Sequence, residues 1–181
     1  MNQLQREFET QINRVIDKGI KPSHLDSHQH VHALPGFWNL VWKLAKRYKI
    51  PYVRLPSFDQ LRTPGTSPLV SLLRGGVNGL ARLRRKKYQN GNPSPVPLKG
   101  AAWSGEISAE ILLSLLDNLD QNFSEILLHP GKDDEDLKNR YRHWGGYNWA
   151  LELEALVDSR VRDRCKKEDI ILTSYSRESS Q

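Results

Sequence analysis

Hydrophobic side chains along this chain follow two spacings, and their alternation predicts helices separated by short strands. Residues 3–18 carry hydrophobic positions at a helical period, and Gly19 is placed to end that helix. A second helical stripe covers Phe37 to Tyr48. The pattern predicts further helices over about Ser108–Leu119, Asn148–Leu156 and Asp158–Lys167, and strands at Ile50–Leu55, Ser124–Leu128 and Asp169–Tyr175.

Strands and helices that follow one another in this way indicate an α/β fold with parallel strands, because each helix returns the chain for the next strand. The length of 181 residues suits a single domain, 1–181. Residues 56–99 form a long excursion, predicted as a lid-like insertion or a disordered connector. Within it, Thr66–Tyr88 predicts one or two helices, interrupted at Gly75-Gly76 and Gly79, and Gln89–Pro97 predicts no regular structure.

The segment His24–His32 has an unusual pattern. If it is a strand, four imidazoles and one carboxylate lie on one face, since side chains alternate between faces; the five residues are His24, Asp26, His28, His30 and His32. Polar groups facing a core need partners, and imidazole is a common ligand of divalent metals. The pattern therefore favours a metal or catalytic site over a flexible His-rich tract or a tag. The row spans roughly 13 Å at ~3.3 Å per residue, so we expect the chain to bend near His28 if one ion is bound.

Two residues outside this segment are candidates because they follow predicted strands. His129 leaves the strand Ser124–Leu128 and is held by Pro130-Gly131, at the end of a parallel strand where such folds place their chemistry. The alternative is a histidine that caps the next turn. Arg54 lies near a strand end, where its guanidinium could bind a carboxylate or a sugar hydroxyl, or order Asp26. A simple strand-end salt bridge is the other interpretation.

Composition narrows the class of protein. Hydrophobic residues make up 38% of the chain, the mean hydropathy is −0.63, and no hydrophobic run reaches the ~18 residues of a membrane span. The single cysteine, Cys165, excludes an internal disulfide and a cysteine-based zinc site. We therefore expect a cytoplasmic protein without a transmembrane segment.

The net charge of +6 is concentrated between Arg74 and Lys87. Such a segment could meet phosphate, an anionic membrane surface or an acidic partner, or it could be a solvated helix face. A basic nucleic-acid-binding module is the less favoured alternative, since no aromatic interleaving and no helix-turn-helix pattern occur there. We therefore expect no nucleic-acid partner.

The segment Pro22–His32, followed by Pro35, resembles the signature of the YdjC-like (ChbG/HpnK) carbohydrate deacetylases. Weaker matches follow in the family's order, at Ile50–Arg54, Leu128–Gly131, Glu152–Leu156 and Ser174-Tyr175. The resemblance covers most of the chain outside residues 56–99. The residues after Arg54 and the segment Trp103–Gly131 look most similar to the hopanoid-biosynthesis branch.

The resemblance implies a distorted (β/α) barrel, here incomplete, and a metal-dependent enzyme that removes the N-acetyl group of an amino sugar, with a hopanoid-linked glycan or glycolipid as one substrate. It implies a divalent metal (Mg, Zn or Mn) with His28 as a ligand, and His129 as the general acid. Asp26 is expected to take part in catalysis by orienting a histidine rather than as the base. His30, His32 and Arg54 are expected to contact substrate or to orient a metal ligand.

The chain departs from the family at its beginning. The family starts with a strand that ends in an Asp-Asp pair, followed by a second metal-binding histidine, and neither precedes His24. We therefore expect a late start, a truncated gene or a split gene, and impaired hydrolysis by this chain alone. A non-catalytic remnant or partner subunit is the alternative, and an open barrel edge would invite pairing, for example as a homodimer.

Overall fold

The computed structural model describes residues 2–58, 67–88, 93–119, 123–142 and 146–175. The helices of these ranges are α1 Asn2–Ile16, α2 Phe37–Arg47, α3 Pro68–Tyr88, α4 Ala109–Asp117, α5 Glu135–Tyr141, α6 Trp149–Val157 and α7 Ser159–Lys167. The strands are β1 His24–Leu25, β2 Tyr52–Pro56, β3 Ser94–Lys99 and β4 Glu125–Ile126. Short 3₁₀ helices occupy His28–Ala33 and Ala101–Trp103. No described helix combines the length and the hydrophobicity needed to cross a membrane.

Contacts divide the chain into two compact units. The first unit comprises residues 1–56, 80–96 and 173–181, and the second comprises residues 57–79 and 97–172. In the first unit, β1 pairs in parallel with β2, with His24 opposite Tyr52 and Leu25 opposite Val53. In the second unit, β3 pairs in parallel with β4, with Leu98 opposite Glu125. The strand order is β1-β2-β3-β4, and these parallel pairs confirm the predicted α/β class.

The core of the first unit is built on α2. Its apolar stripe buries Trp38, Val41, Leu44 and Ala45, as the helical spacing predicts. The stripe packs with Ile12 of α1 and with the residues of and before β2, namely Ile50, Val53 and Leu55. Burying each large apolar side chain contributes about 1.5–3 kcal/mol, so this cluster holds β1 and β2 in place beneath the histidine segment.

The core of the second unit is built on α4. Ser108, where the sequence predicts that a helix begins, caps α4 by accepting a hydrogen bond from the Ile111 N–H at 3.4 Å. Leu112, Leu115 and Leu116 of α4 pack with Ala155 of α6 and with Val161 of α7; Ile107 completes the buried cluster. These contacts position the start of α6 beside the chain that follows β4.

Several predicted elements are wrong. The histidine segment forms a strand only at His24–Leu25. The predicted helical segment Thr66–Tyr88 is not broken at its glycines: from Pro68 to Tyr88 it is one helix, α3. Its first residue, Thr66, lies outside the described residues. Asp169–Tyr175 forms no strand, because Asp169 has a φ of +49° and no neighbouring described strand pairs with it.

Gln89–Pro97 was expected to lack regular structure, yet its end belongs to β3, Ser94–Lys99. The Ser94 N–H donates to the carbonyl of Pro51, and the Lys99 carbonyl, on the opposite edge, accepts from Leu127. N–H groups alternate between edges along a strand, so Pro95 and Pro97 occupy positions on the edge facing β4, before the pairing with β4 begins at Leu98. The missing proline N–H groups therefore break no ladder bond.

Candidate functional site

The histidine segment of the first unit bends directly after β1. Gln29 and His30 have φ angles of +50° and +57°, in the left-handed region that non-glycine residues seldom adopt. The His30 N–H donates to the Ser27 carbonyl at 3.0 Å, which closes the turn. The predicted bend near His28 is confirmed, and the alternation of five side chains along one strand face is wrong.

His32 lies under this bend and is fully buried, with 1% of its surface exposed. Its Nε2 is 2.8 Å from the Arg54 carbonyl, and its Nδ1 is 2.7 Å from Ser27 Oγ. A carbonyl only accepts, so Nε2 carries the proton and Nδ1 accepts from the Ser27 hydroxyl. Ser27 Oγ in turn accepts from the His32 backbone N–H at 2.9 Å. Both ring nitrogens are thus engaged, and His32 joins the bend to the chain of β2.

The environment keeps the His32 imidazole neutral. Burial lowers the pKa of His32 below its ordinary value, and this effect outweighs the bond to the Arg54 carbonyl and the attraction of Asp26, which raise it. A neutral ring is the form that can accept from Ser27 and donate to Arg54 at once. The hydrogen bonds and the pKa therefore agree on one tautomer.

Asp26 and Arg54 form an ion pair beside His32. Arg54 Nη1 lies 2.5 Å from Asp26 Oδ2, with the Arg54 side chain 14% exposed and that of Asp26 37% exposed. The sequence predicted this contact as one of several possibilities for Arg54, and it fits a simple strand-end salt bridge as well as an ordering of Asp26. Arg54 thus links to this region twice, through its guanidinium to Asp26 and through its carbonyl to His32.

The remaining histidines of the segment differ in exposure. His28 is exposed at the start of the 3₁₀ helix, and His30 packs edge-on against His32 with ring centroids 6.4 Å apart. His24 stacks on Tyr175 at 4.1 Å, and its Nδ1 lies 3.1 Å from Ser23 Oγ. The segment therefore presents His28 and Asp26 outward and uses His32 inward.

A second polar cluster lies in the second unit, around His129. The carboxylate of Glu152, on α6, is fully buried. Its Oε1 accepts from the N–H groups of Gly105 at 2.7 Å and Ile107 at 3.4 Å, and its Oε2 accepts from the N–H of His129. Oε2 also lies 3.6 Å from His129 Nδ1, an ion-pair distance longer than a hydrogen bond. The carboxylate thus fixes the backbone of His129 and lies beside its ring.

Two opposing effects act on the Glu152 carboxyl. Burial raises its pKa, but the side chain and N–H of His129 and the N–H of Ile107 lower it by more, so the pKa lies below its ordinary value. Glu152 is therefore an anion at neutral pH. A buried negative charge therefore lies beside the His129 ring.

Tyr147 completes the cluster. Its ring meets that of His129 at 89° with centroids 4.8 Å apart, and its hydroxyl lies 3.2 Å from Ser104 Oγ. Gly105, with a φ of +86°, leaves room for this ring, since a Cβ there would lie 2.9 Å from Tyr147 Cγ. The His129 side chain keeps 33% of its surface exposed, so a ligand can reach it.

The described residues do not fit a complete metal centre. Nowhere within the described ranges do three His, Cys, Asp or Glu side chains come together in a way that could hold an ion. His32 uses both nitrogens in hydrogen bonds, and Asp26 is paired with Arg54. His28 as a metal ligand stays a prediction.

Sequence reasoning named His129, Asp26 and Arg54 but gave Glu152 no role in the site. A signal was present: Glu152 shares a helix face with Ala155, three residues on, and that face of α6 is buried. Tyr147 and Ser27 were also missed, because aromatic and hydroxyl side chains next to glycine or histidine give no distinctive pattern.

The class of protein now follows from comparison with known families. The model of the YdjC-like proteins matches residues 1–167, so the chain belongs to this family. A carbohydrate deacetylase of Clostridium beijerinckii is 24% identical over 170 residues, covering 93% of this chain and 58% of the relative. A carbohydrate deacetylase of Thermoanaerobacter pseudethanolicus is 25% identical over 178 residues, covering 97% of this chain and 60% of the relative.

A solved structure shows the same fold. It is a candidate cellobiose-phosphate cleavage protein of Enterococcus faecalis, which matches with a TM-score of 0.66 and 23% identity over 97% of this chain and 60% of that chain. The chain thus spans about 60% of the length of these relatives.

Proposed function

We propose that this chain carries the general-acid part of a carbohydrate deacetylase, which hydrolyses the N-acetyl group of an amino sugar. The observation that carries the proposal is the pair of Glu152 and His129. A buried carboxylate beside the ring of a histidine whose side chain stays 33% exposed is an arrangement suited to a general acid. The family membership and the relatives named carbohydrate deacetylase support the choice of reaction.

In this proposal His129 protonates the departing amine as the amide bond breaks. The Glu152 carboxylate is held by three backbone N–H groups, one of which belongs to His129, and so keeps this residue in place. Proton transfer by a positioned side chain contributes typically ~10²–10⁴-fold to the rate. Glu152 acts through His129 and is a positioning residue.

We also propose that a divalent metal binds with His28 as a ligand. We further propose that deacetylation by this chain alone is impaired. Since the described residues do not supply three donors, we derive no step through the metal. We expect hydrolysis by the chain alone to be slow compared with that by a longer relative. A hopanoid-linked amino sugar is the more specific substrate that we propose.

The test is acetate release from N-acetylglucosamine oligomers, and from an N-acetylglucosaminyl hopanoid, in the presence of magnesium, zinc or manganese, with the Clostridium beijerinckii relative as the reference. We expect slow release by the chain and a further loss of at least about tenfold in His129→Asn, while Glu154→Gln, on the exposed side of α6, keeps the chain's rate. Release at the rate of the relative would contradict the impairment. Unchanged release by His129→Asn would contradict the acid role.

A second candidate is a non-catalytic partner subunit, favoured by the lack of a three-donor cluster in the described part of the chain. It predicts no acetate release with any of the three metals, together with normal folding. That outcome would remove the catalytic proposal for this chain.

A further inference from the structure

We infer that a groove in the first unit binds a phosphate-bearing ligand, at a place distinct from Glu152 and His129. The groove has a volume of about 310 Å³. The start of α2 and the residues before it form one wall, and the end of α3 forms the other. Its lining residues are Pro35, Gly36, Trp38, Asn39, Leu80, Leu83, Arg84, Lys87 and Tyr88. Every ionisable group of this lining that is charged at neutral pH is a cation.

Arg84 is the central observation. Only 8% of its surface is exposed, its Nη1 donates to the Ala33 carbonyl at 2.5 Å, and its guanidinium carbon lies 4.5 Å from the centre of the Trp38 ring. One carbonyl and one ring face do not neutralise a full positive charge. No carboxylate of the described residues forms an ion pair with it, and burial lowers the pKa of Arg84. Because buried charges are usually paired with an opposite charge, we infer that a bound anion pairs with the Arg84 guanidinium.

Lys87 lies one helical turn beyond Arg84 and lines the same groove. Its Nζ lies 5.1 Å from the centre of the Tyr88 ring, and no described carboxylate pairs with it either. Guanidinium and ammonium groups are the usual binding partners of phosphate, and one of each lines this groove. The neighbouring residues of α3, which are Arg82, Arg85 and Lys86, add to the positive potential without an acidic residue between Leu80 and Tyr88.

The other components of the groove agree with an anion that carries a larger body. Gly36 and Trp38 belong to the start of α2, where a helix carries a partial positive charge. The indole Nε1–H of Trp38, a residue 97% buried, has no acceptor in the described part of the chain. The Tyr88 ring contacts that of Trp42 at a tilt of 32°, with centroids 4.2 Å apart, and offers an aromatic surface to the body of the ligand. The ligand could be a soluble sugar phosphate or the headgroup of an anionic lipid, which share this phosphate chemistry.

Titration calorimetry at low salt tests the inference with three soluble probes, glucose 6-phosphate, glucose and inorganic phosphate, and with vesicles of phosphatidylglycerol compared with phosphatidylcholine. We expect binding of glucose 6-phosphate that is at least about fivefold tighter than that of glucose, weakened at least about fivefold by Lys87→Gln and by higher salt. Lys86→Gln removes the same charge from the same helix outside the groove, so its affinity should change less than about twofold.

Arg84→Met also removes the hydrogen bond to the Ala33 carbonyl, so its affinity is interpreted only if its thermal unfolding matches that of the native chain. Lys87 is exposed, so Lys87→Gln alone is sufficient to test whether the groove binds phosphate. Binding of phosphatidylglycerol vesicles that depends on Lys87, without binding of glucose 6-phosphate, assigns the phosphate to a lipid. Equal effects of Lys86→Gln and Lys87→Gln, or no binding of any phosphate probe, overturn the inference. Because binding is measured and not acetate release, these outcomes are independent of the proposed deacetylation.

Discussion

The Glu152 carboxylate accepts a hydrogen bond from the backbone N–H of His129, 23 residues earlier in the chain, and lies 3.6 Å from the Nδ1 of the same residue. The carboxylate therefore ties the start of α6 to the segment that follows β4. Both of its oxygens are used as acceptors by backbone donors, since Oε1 accepts from Gly105 and Ile107. A site built in this way depends on a fully buried charge.

Replacing Glu152 with glutamine should destabilise the protein. The amide keeps the shape but presents an N–H₂ group to a backbone N–H donor, so at least one buried donor loses its acceptor. We expect a loss of about 1–3 kcal/mol in the free energy of unfolding, measured by urea denaturation. Glu154→Gln on the same helix is the control, and its exposed side chain predicts a change within about 0.5 kcal/mol. Equal losses in the two variants would show that the backbone contacts of Glu152 contribute nothing.

His32 predicts a dependence of stability on pH. Because burial lowers its pKa in the folded state, the unfolded chain binds the proton more readily below its pKa of about 6.5. The stabilising contribution is therefore fully present above pH 6.5 and declines as the pH falls toward the lower pKa of the folded state. The slope attributable to one residue is at most about 1.4 kcal/mol per pH unit.

The measurement is the free energy of unfolding of the native chain and of His32→Gln between pH 7.5 and pH 5. We expect the variant to be less stable at pH 7.5, because Gln cannot reach both Ser27 and Arg54, and the difference should narrow as the pH falls. A difference that is constant over this range would mean that His32 does not resist protonation in the folded state.

The ion pair of Asp26 and Arg54 should show a measurable coupling. Asp26→Asn and Arg54→Met, singly and together, form a double-mutant cycle for the contact at 2.5 Å. Since Asp26 remains 37% exposed and solvent screens the pair, we expect a coupling of about 0.5–1 kcal/mol. The analogous cycle for Glu9 and Arg47, an ion pair at 2.6 Å with Arg47 64% exposed, should give less. A larger coupling at Glu9 and Arg47 would contradict this order.

The sequence was sufficient for local structure that depends on spacing and capping, such as the stripe of α2 and the Ser108 cap of α4. The sequence was insufficient where contacts with residues far along the chain determine the local structure or the role of a side chain. The strand pattern at His24–His32 fails because Ser27 and Arg54 capture His32 and the backbone turns at Gln29 and His30. The role of Glu152 depends on Gly105 and His129, which are 47 and 23 residues away. The strand at Ser94–Lys99 was missed because prolines usually argue against a strand. Whether a proline disrupts the sheet depends on the strand edge that it faces, and the sequence alone does not give that edge.

Gly105 should tolerate no side chain, because two separate effects oppose alanine there. Its φ of +86° is strained for any L-residue, and a Cβ would lie 2.9 Å from Cγ and 3.0 Å from Cδ1 of Tyr147. Gly146, with a φ of +81° and no atom within 4 Å of its Cβ position, isolates the first effect. We expect Gly146→Ala to cost about 1 kcal/mol and Gly105→Ala about 1–3 kcal/mol more, by thermal unfolding. If Tyr147 instead moves aside, the two costs will be equal, and the ring will then no longer be held against His129.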